Sequence, residues 1–469
     1  MPLIPVLFWT DALVYLLILS ALVFGLYAAR HEHLRAPWRQ VVRSPVGMAA
    51  LVVLAAYGSV GLLDTVHVRL QVDQSSEVRY SPEVLSLLDL LLTDLRTRQE
   101  KTYSAPLATH LYAKESIVQA DGTVIRDYPR LQYGGAHLKD PERERTWDIA
   151  WRSLRGLIQG LALWSALFVA LIAWLASRQQ RPFAQMRDRI LCGQTEIPWR
   201  VALLTLGLIL ILGAILAELS QGYHVLGTDK VGEDVFYQML KGIRTGLVIG
   251  TLTTLVMLPA ALSLGVAAGY FGGWVDDLIQ YLYTTLNSIP GVLLIAAAIL
   301  MLQVYMHVHA EEFASLAERA DLRLLWLCII LGVTSWTGLC RLLRGEALKL
   351  RESDYILAAR ALGVGHFAII VRHLLPNLFH IVLITVVLDF SGLVLAEAVL
   401  SYVNIGVDPT MHSWGNMINS ARLELARDPV VWWSLAAAFG AMFVLVLAAN
   451  LFADVVRDAF DPRLRTLWA

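Results

Sequence analysis

The sequence predicts an all-α polytopic membrane protein of about nine transmembrane helices, N-terminus outside and C-terminus inside, with a small α+β domain inserted on the outer face between helices 2 and 3. Three observations predict it. The 469 residues are 57% hydrophobic and only 16% charged, with a mean hydropathy of +0.57, whereas soluble domains average about 45–50% apolar and about 25% charged. Nine segments are long and apolar enough, or nearly so, for a hydrocarbon core about 30 Å thick. Lys and Arg cluster in alternate loops, which sets orientation.

In chain order the spans are 12–29, 44–63, 156–177, 201–217, 245–275, 278–306, 324–340, 374–400 and 429–453. The fifth carries Pro259, a break that neighbouring helices accommodate in a bundle. No Lys or Arg precedes the first span and four Arg follow it, so it reads as a retained N-out anchor, not a cleaved signal. Arg30, Arg35, Arg39 and Arg43 lie after span one, and Arg178, Arg181, Arg187, Arg189 and Arg200 after span three. The loop 341–372 is basic too, as is the tail with Arg457, Arg463 and Arg465. Nine alternating spans put all four on the inner side. One inner loop, 269–290, resists the rule, with Asp276 and Asp277 and no Lys or Arg.

Residues 66–150 are the one long polar stretch, and they read as a small folded domain. Ser81-Pro82 opens a helix there, with Val84, Leu87, Leu88, Leu91 and Leu95 on one side through about Arg98. Asp121-Gly122 marks a turn between extended pieces at 116–120 and 123–128. At this size the domain is expected to lean on the membrane bundle or on a partner. The polar segment 307–323 reads as a short outer helix joining spans six and seven.

The stretch 344–377, RGEALKLRESDYILAARALGVGHFAIIVRHLLPN, carries the strongest motif. Tyr355, Ala358, Ala359 and Leu362 fall at helical spacing, with Glu352, Asp354 and Arg360 off that face. Gly363 and Gly365 permit a sharp change of direction. A second short helix holds Phe367, Ile370 and Val371, and Pro376 suits the first turn of the next span. Two short helices set at an angle make a knob that another protein can grip.

This stretch resembles the EAA loop of ABC-importer permeases, whose pattern is EAA, three residues, Gly, nine residues, then I-x-L-P. Leu357, Ala358 and Ala359 align with EAA, Gly363 with the glycine, and His373, Leu374, Leu375 and Pro376 with the closing element. Leu357 replaces the family's acid and His373 its isoleucine. Further likenesses point to the dipeptide/oligopeptide permeases, in the second permease of the pair. They are HVLGTDKVGED at 224–234, with Gly227, Thr228, Asp229, Gly232 and Asp234; Asp276 with Ser288, Ile289 and Pro290; Gly406, Pro409, Ser413, Trp414, Gly415 and Asn416; and Asn450, Asp454, Arg457, Asp458, Asp461, Pro462 and Arg463. Thr228 or Asp229 is placed to cap the helix that follows.

The resemblance covers about residues 198–469, a six-helix permease domain with the coupling loop at 344–377. Two N-terminal transmembrane helices (1–65), the outer domain (66–150), and a third helix with its cytoplasmic loop (151–197) precede it. The resemblance implies an inner-membrane subunit that transports peptides or similar solutes. Its implied partners are a second homologous permease, two ABC ATPase subunits docked on the coupling loop, and a periplasmic substrate-binding protein at 218–241 and 401–428. The domain at 66–150 would add docking surface for that binding protein.

The chain is not its own motor. A phosphate-cradling P-loop needs Gly-Lys-Ser/Thr, and none of the six lysines follows a glycine. ATP would be used by the partner subunits, and no cofactor is expected here. The net charge of −1 gives no nucleic-acid signal. Cys192, Cys328 and Cys340 form no metal-ligand pattern. Gly58-Ser59 and Gly61 lack nucleophile-elbow spacing, and His31-Glu32-His33 reads as a solvated loop. Within the bilayer, Asp389 and Glu397 are the ionisable candidates. They suit either a polar pathway lining or structural pairing, Glu397 with Ser401. The alternative they raise is a stand-alone, ion-coupled secondary transporter. His366, His373 and His380 read as structural polar contacts.

Overall fold

A computed structural model describes residues 3–72, 79–81, 83–118, 124–309, 311 and 315–460. Nine helices among them are long and apolar enough to span a membrane, matching the sequence reading. They are α1 (Trp9–Arg30), α3 (Pro45–Thr65), α6 (Pro141–Gln179), α8 (Trp199–Ser220), α9 (Val235–Phe271), α11 (Gly291–Val308), α12 (Leu316–Arg351), α15 (Leu375–Tyr402, entered through α14 at His366–Ile369 and a π-helical turn at Ile370–Leu374) and α17 (Trp433–Phe460). Connecting helices are α2 (Glu32–Arg43), α4 (Leu87–Leu91), α5 (Thr93–Thr97), α7 (Phe183–Leu191), α10 (Gly273–Ser288), α13 (Asp354–Ala361) and α16 (Trp414–Glu424). The sheets are small: β1 (Leu3–Val6), β2 (His67–Val72), β3 (Arg79–Tyr80) and β4 (Leu85–Ser86) form one, and β5 (Glu115–Val118) pairs antiparallel with β6 (Val124–Asp127).

Several expectations are corrected. The sixth span breaks at Pro290, whose missing N–H and restricted predecessor end one helix and start the next; α10 becomes a separate amphipathic helix and α11 the span. The insert's helix starts at Leu87, because Ser86 and Asp89 form a reciprocal capping box while Leu85 pairs in a strand. Pro82, the Asp121-Gly122 turn, and the tail match at Asp461, Pro462 and Arg463 lie outside the described residues. Glu32 starts α2 instead of a loop. In the segment 307–323 no separate outer helix appears among the described residues: α12 runs on from Leu316, capped by Ser315. The second short helix of the knob merges into the eighth span.

The N-terminal strand joins the insert, with Leu3 opposite Leu70 and Val6 opposite His67 on β2. The chain's first residues and the insert therefore share one end of the bundle. So do 221–234 and 403–432, since Trp433 Nε1 donates to the Thr228 carbonyl at 3.0 Å and Arg323 donates to the Gly406 carbonyl. The knob lies at the opposite end.

The bundle is built around α9 and α12, which pack closely. Glycines permit it: a Cβ at Gly265 would lie 2.8 Å from the Cys340 carbonyl, and one at Gly269 2.7 Å from that of Arg344. The pair buries Met257, Val266, Leu339 and Leu343 among the core residues. Pro259 sits inside α9 without ending it. The hairpin of α6 and α8 closes in the same way, with Gly156 and Gly160 against the backbone at Ile215 and Ile211, a small-xxx-small contact. Cys192 is exposed after α7, while Cys328 and Cys340 are buried.

Candidate functional site

The knob grows from the end of α12. Asp354 lies in the first turn of α13, where a carboxylate suits the positive end of a helix. Ile356 and Ala359 point into the bundle, while Tyr355, Leu357 and Ala358 are exposed. Gly363 then takes φ +76°, its N–H reaching the Arg360 carbonyl and the Val364 N–H that of Ala359. This left-handed helix ending suits glycine. The chain reverses, and Leu362 and Phe367 stand 83% and 80% exposed.

What fixes the knob is Tyr270 on α9. Its ring lies 4.7 Å under the Arg360 guanidinium, its hydroxyl is 2.9 Å from His366 Nδ1, and its carbonyl accepts from Arg351 at 3.4 Å. Glu352 pairs with Arg351 at 3.0 Å in the open. Asn377 donates to Tyr355 Oη at 3.2 Å, and the π-helical turn falls just before Leu375 and Pro376. A proline N has no proton to give to the carbonyl one turn back, so helix register slips there.

Arg344 grips Asp276 of α10 with two bonds, at 2.5 and 2.7 Å. Of the two acids in the 269–290 loop, Asp276 is thus neutralised by an arginine 68 positions away. The Arg344 bonds hold its carboxyl below the usual carboxylate range.

At the opposite end, 221–234 is a tight polar turn locked to the insert. The Asp229 carboxylate accepts the Val231 and Glu233 N–H groups at 2.9 Å each, and Gly232 takes φ +80° against the Glu100 carbonyl. Thr228 is fully buried, donating to the Thr102 carbonyl and accepting the Ser104 N–H at 2.7 Å. The cap of α9 is Asp234, not Thr228 or Asp229, with Oδ1 accepting from Phe236 and Tyr237. Its other oxygen meets His224 Nδ1 at 2.7 Å, and His224 Nε2 lies 3.4 Å from Glu100 of the insert. Glu100 also accepts three backbone N–H groups. Despite burial, those two acids raise His224 from 6.5 to about 9. Burial also opposes ionisation of Glu100, but its His224 and backbone bonds lower it from 4.5 to about 2.

Trp414 is buried, its Nε1 donating to the Met239 carbonyl at 3.0 Å and its ring seated over Gly242. Glu397 is 2% exposed and accepts the Ser401 hydroxyl at 2.7 Å. Neither lines an open path in this chain. Asn416 donates to the Asp408 and Met411 carbonyls at 2.9 Å. With Asp229, Glu233, Glu424 and Tyr103 of the insert it lines a cavity of about 440 Å³. Asp389 is half-buried and, among the described residues, has no side-chain hydrogen bond or ion pair. The knob and this cavity are not one site. They are separated by α15, 28 residues or about 40 Å of helix.

Sequence reading missed a charged cluster at the cavity end. Arg244 of α9 bonds Asp11 of α1 at 2.7 Å and lies 3.6 Å from Asp321 of α12; Lys241 meets Asp64 of α3 at 2.5 Å and Asp89 of the insert at 2.9 Å. His67 approaches Asp11 at 2.8 Å. Each of these charges flanks an apolar run, so only its distant partner reveals burial.

Helices that cross a membrane and end in a rigid, apolar-tipped knob define a polytopic transport subunit. Residues 261–466 match the family of binding-protein-dependent transport system inner membrane components. The glutathione transport system permease protein GsiD of Pectobacterium atrosepticum is 31% identical over 245 residues, 52% of this chain and 74% of that protein. The dipeptide transport system permease protein DppC of Lactococcus lactis is 31% identical over 51% of this chain and 64% of its own length. The oligopeptide transport system permease protein OppC of Mycobacterium tuberculosis is 30% identical over 52% and 77%. The chain belongs to this family of peptide-type permeases, as a multi-pass inner-membrane subunit.

Proposed function

We propose that this permease imports dipeptides, oligopeptides or similar solutes, driven by ATP that two separate ABC ATPase subunits hydrolyse. A second, homologous permease completes the pathway, and a periplasmic binding protein delivers solute to the insert end. The knob end then faces the cytoplasm, in agreement with the Arg-rich loops. The observation that carries this reading is the knob: apolar Leu357, Leu362 and Phe367 exposed on a reversal pinned by Tyr270. Closure of the ATPases would move it as a rigid body and switch access across the membrane. Asp354, Tyr355 and Ala358 shape the docking face, Ala359 and Arg360 seat it on the bundle, and Leu375 and Pro376 join it to span eight.

Co-purification with tagged ATPases tests the reading. Gly363→Pro removes the left-handed turn, since proline fixes φ near −65°, and Phe367→Asp puts charge on the apolar tip. Both are expected to abolish ATPase capture while membrane insertion persists. Uptake by reconstituted vesicles that continues without nucleotide and collapses with an uncoupler would overturn the proposal in favour of an ion-coupled carrier using Asp389 and Glu397.

A further inference from the structure

A second concavity lies at the knob end, on helices that precede the permease domain. About 520 Å³ in volume, it lies between the end of α6, the short helix α7 and the start of α8, within the size range of ligand sites, roughly 300–1,000 Å³. Arg178, Arg181 and Arg189 line it with Trp174 and Trp199. Its one acid, Glu196, is taken by Arg43 at 2.9 Å. Among the described residues none of the three arginines has an acidic partner. Arg178 lies over the Trp174 ring, Arg189 reaches only the Gln194 carbonyl at 3.3 Å, and Arg181 has no side-chain partner.

The basket is preformed. Met186 and Ile190 of α7 are buried against Ile172 and Leu175 of α6, so the arginines sit on a packed scaffold. Its depth is also set. The run 157–177 on α6 has no charge, Arg178 is the first to follow, and Trp199 opens α8 two residues before its apolar run begins at Val201. Arginine forks, each matched to phosphate oxygens, therefore meet paired tryptophans at a membrane–water boundary. Below them α6 exposes Leu163 and Leu167, which share the Arg178 side of the helix, and α8 exposes Leu204 and Leu208.

The geometry points to a binding site for one anionic phospholipid, its phosphate held by Arg178, Arg181 and Arg189 and its acyl chains along α6 and α8. Basic pockets between membrane helices recognise such headgroups by charge and phosphate geometry. The site rests on the inner-side orientation of this loop in the reading above, but not on transport or ATPase coupling.

The test is native mass spectrometry of the full complex reconstituted with equal phosphatidylglycerol and phosphatidylcholine. Wild-type protein should retain phosphatidylglycerol, and R178Q/R181Q should retain at least about tenfold less. Arg187→Gln, which removes an α7 charge that pairs with Asp188 outside the basket, should behave as wild type. Arg189→Gln gives the same reading with a milder change if the double variant fails to fold. Equal retention by all variants, or no preference over phosphatidylcholine, overturns the site. Displacement of the lipid by millimolar inorganic phosphate assigns it to a soluble anion and overturns the lipid assignment. ATP-driven uptake, measured in parallel, reports separately on the transport proposal.

Discussion

His224 illustrates how much one side chain can hold when it is buried between charges. It bridges the helix-capping Asp234 and the insert's Glu100, both buried, so replacing it leaves two carboxylates facing each other without a cation. His224→Gln is expected to cost about 3–5 kcal/mol of stability, read as an earlier thermal transition in detergent. The pH dependence follows from the same three groups. Folding raises His224 from 6.5 to about 9, so its contribution is complete below about pH 6.5 and fades as pH climbs through 9. Glu100 is lowered from 4.5 to about 2, so its contribution is complete above about pH 4.5 and fades toward pH 2. The joint should therefore be strongest between about pH 4.5 and 6.5, and limited proteolysis of the insert, slowest in that range and faster toward about pH 9, checks it. None of this is legible in sequence. The 224–234 segment shows a turn and a cap, but Glu100 is 124 residues from His224 and nothing local pairs them.

The helices show which elements could be read and which could not. Spans were legible because hydrocarbon thickness fixes a minimum apolar length. The sixth was overextended because the run 278–306 has no charge to mark where α10 ends. Pro290 was the available signal. The helix α9 has 37 residues, about 55 Å, and touches both ends of the molecule, with Asp234 at one tip and Tyr270 at the other. A tilt of about 5° at the knob would displace its far tip by about 5 Å. Such transmission needs a tight seam with α12, and Gly269→Leu should disrupt it, because even a Cβ there falls 2.5 Å from that of Ala347. Overpacking of this kind costs about 1–3 kcal/mol. Reduced thermal stability together with a weaker response of uptake to ATP is the expected pair of results.

At the scale of the whole molecule, the insert is an integral part of the bundle's rim at the cavity end. Asp64, Asp89 and Lys241 join α3, the insert and α9, and Val6 pairs with His67. Sequence alone anticipated that so small a domain would lean on the bundle or on a partner, but not that strand β1 would pair with its sheet, because pairing across more than about 60 residues leaves no local trace. Removing the insert would take Asp89 from Lys241, Glu100 from buried His224 and His67 from buried Asp11, so deletion should lower the yield of folded protein, as gel filtration would show, before any question of docking arises.

The three cysteines give the wild-type chain a built-in sidedness assay. Cys192 is the exposed thiol, and Cys328 and Cys340 are sealed within the core. A membrane-impermeant maleimide should stoichiometrically modify inverted vesicles and spare intact spheroplasts, without any engineered label. Modification from the opposite side would turn the entire assembly over in the bilayer.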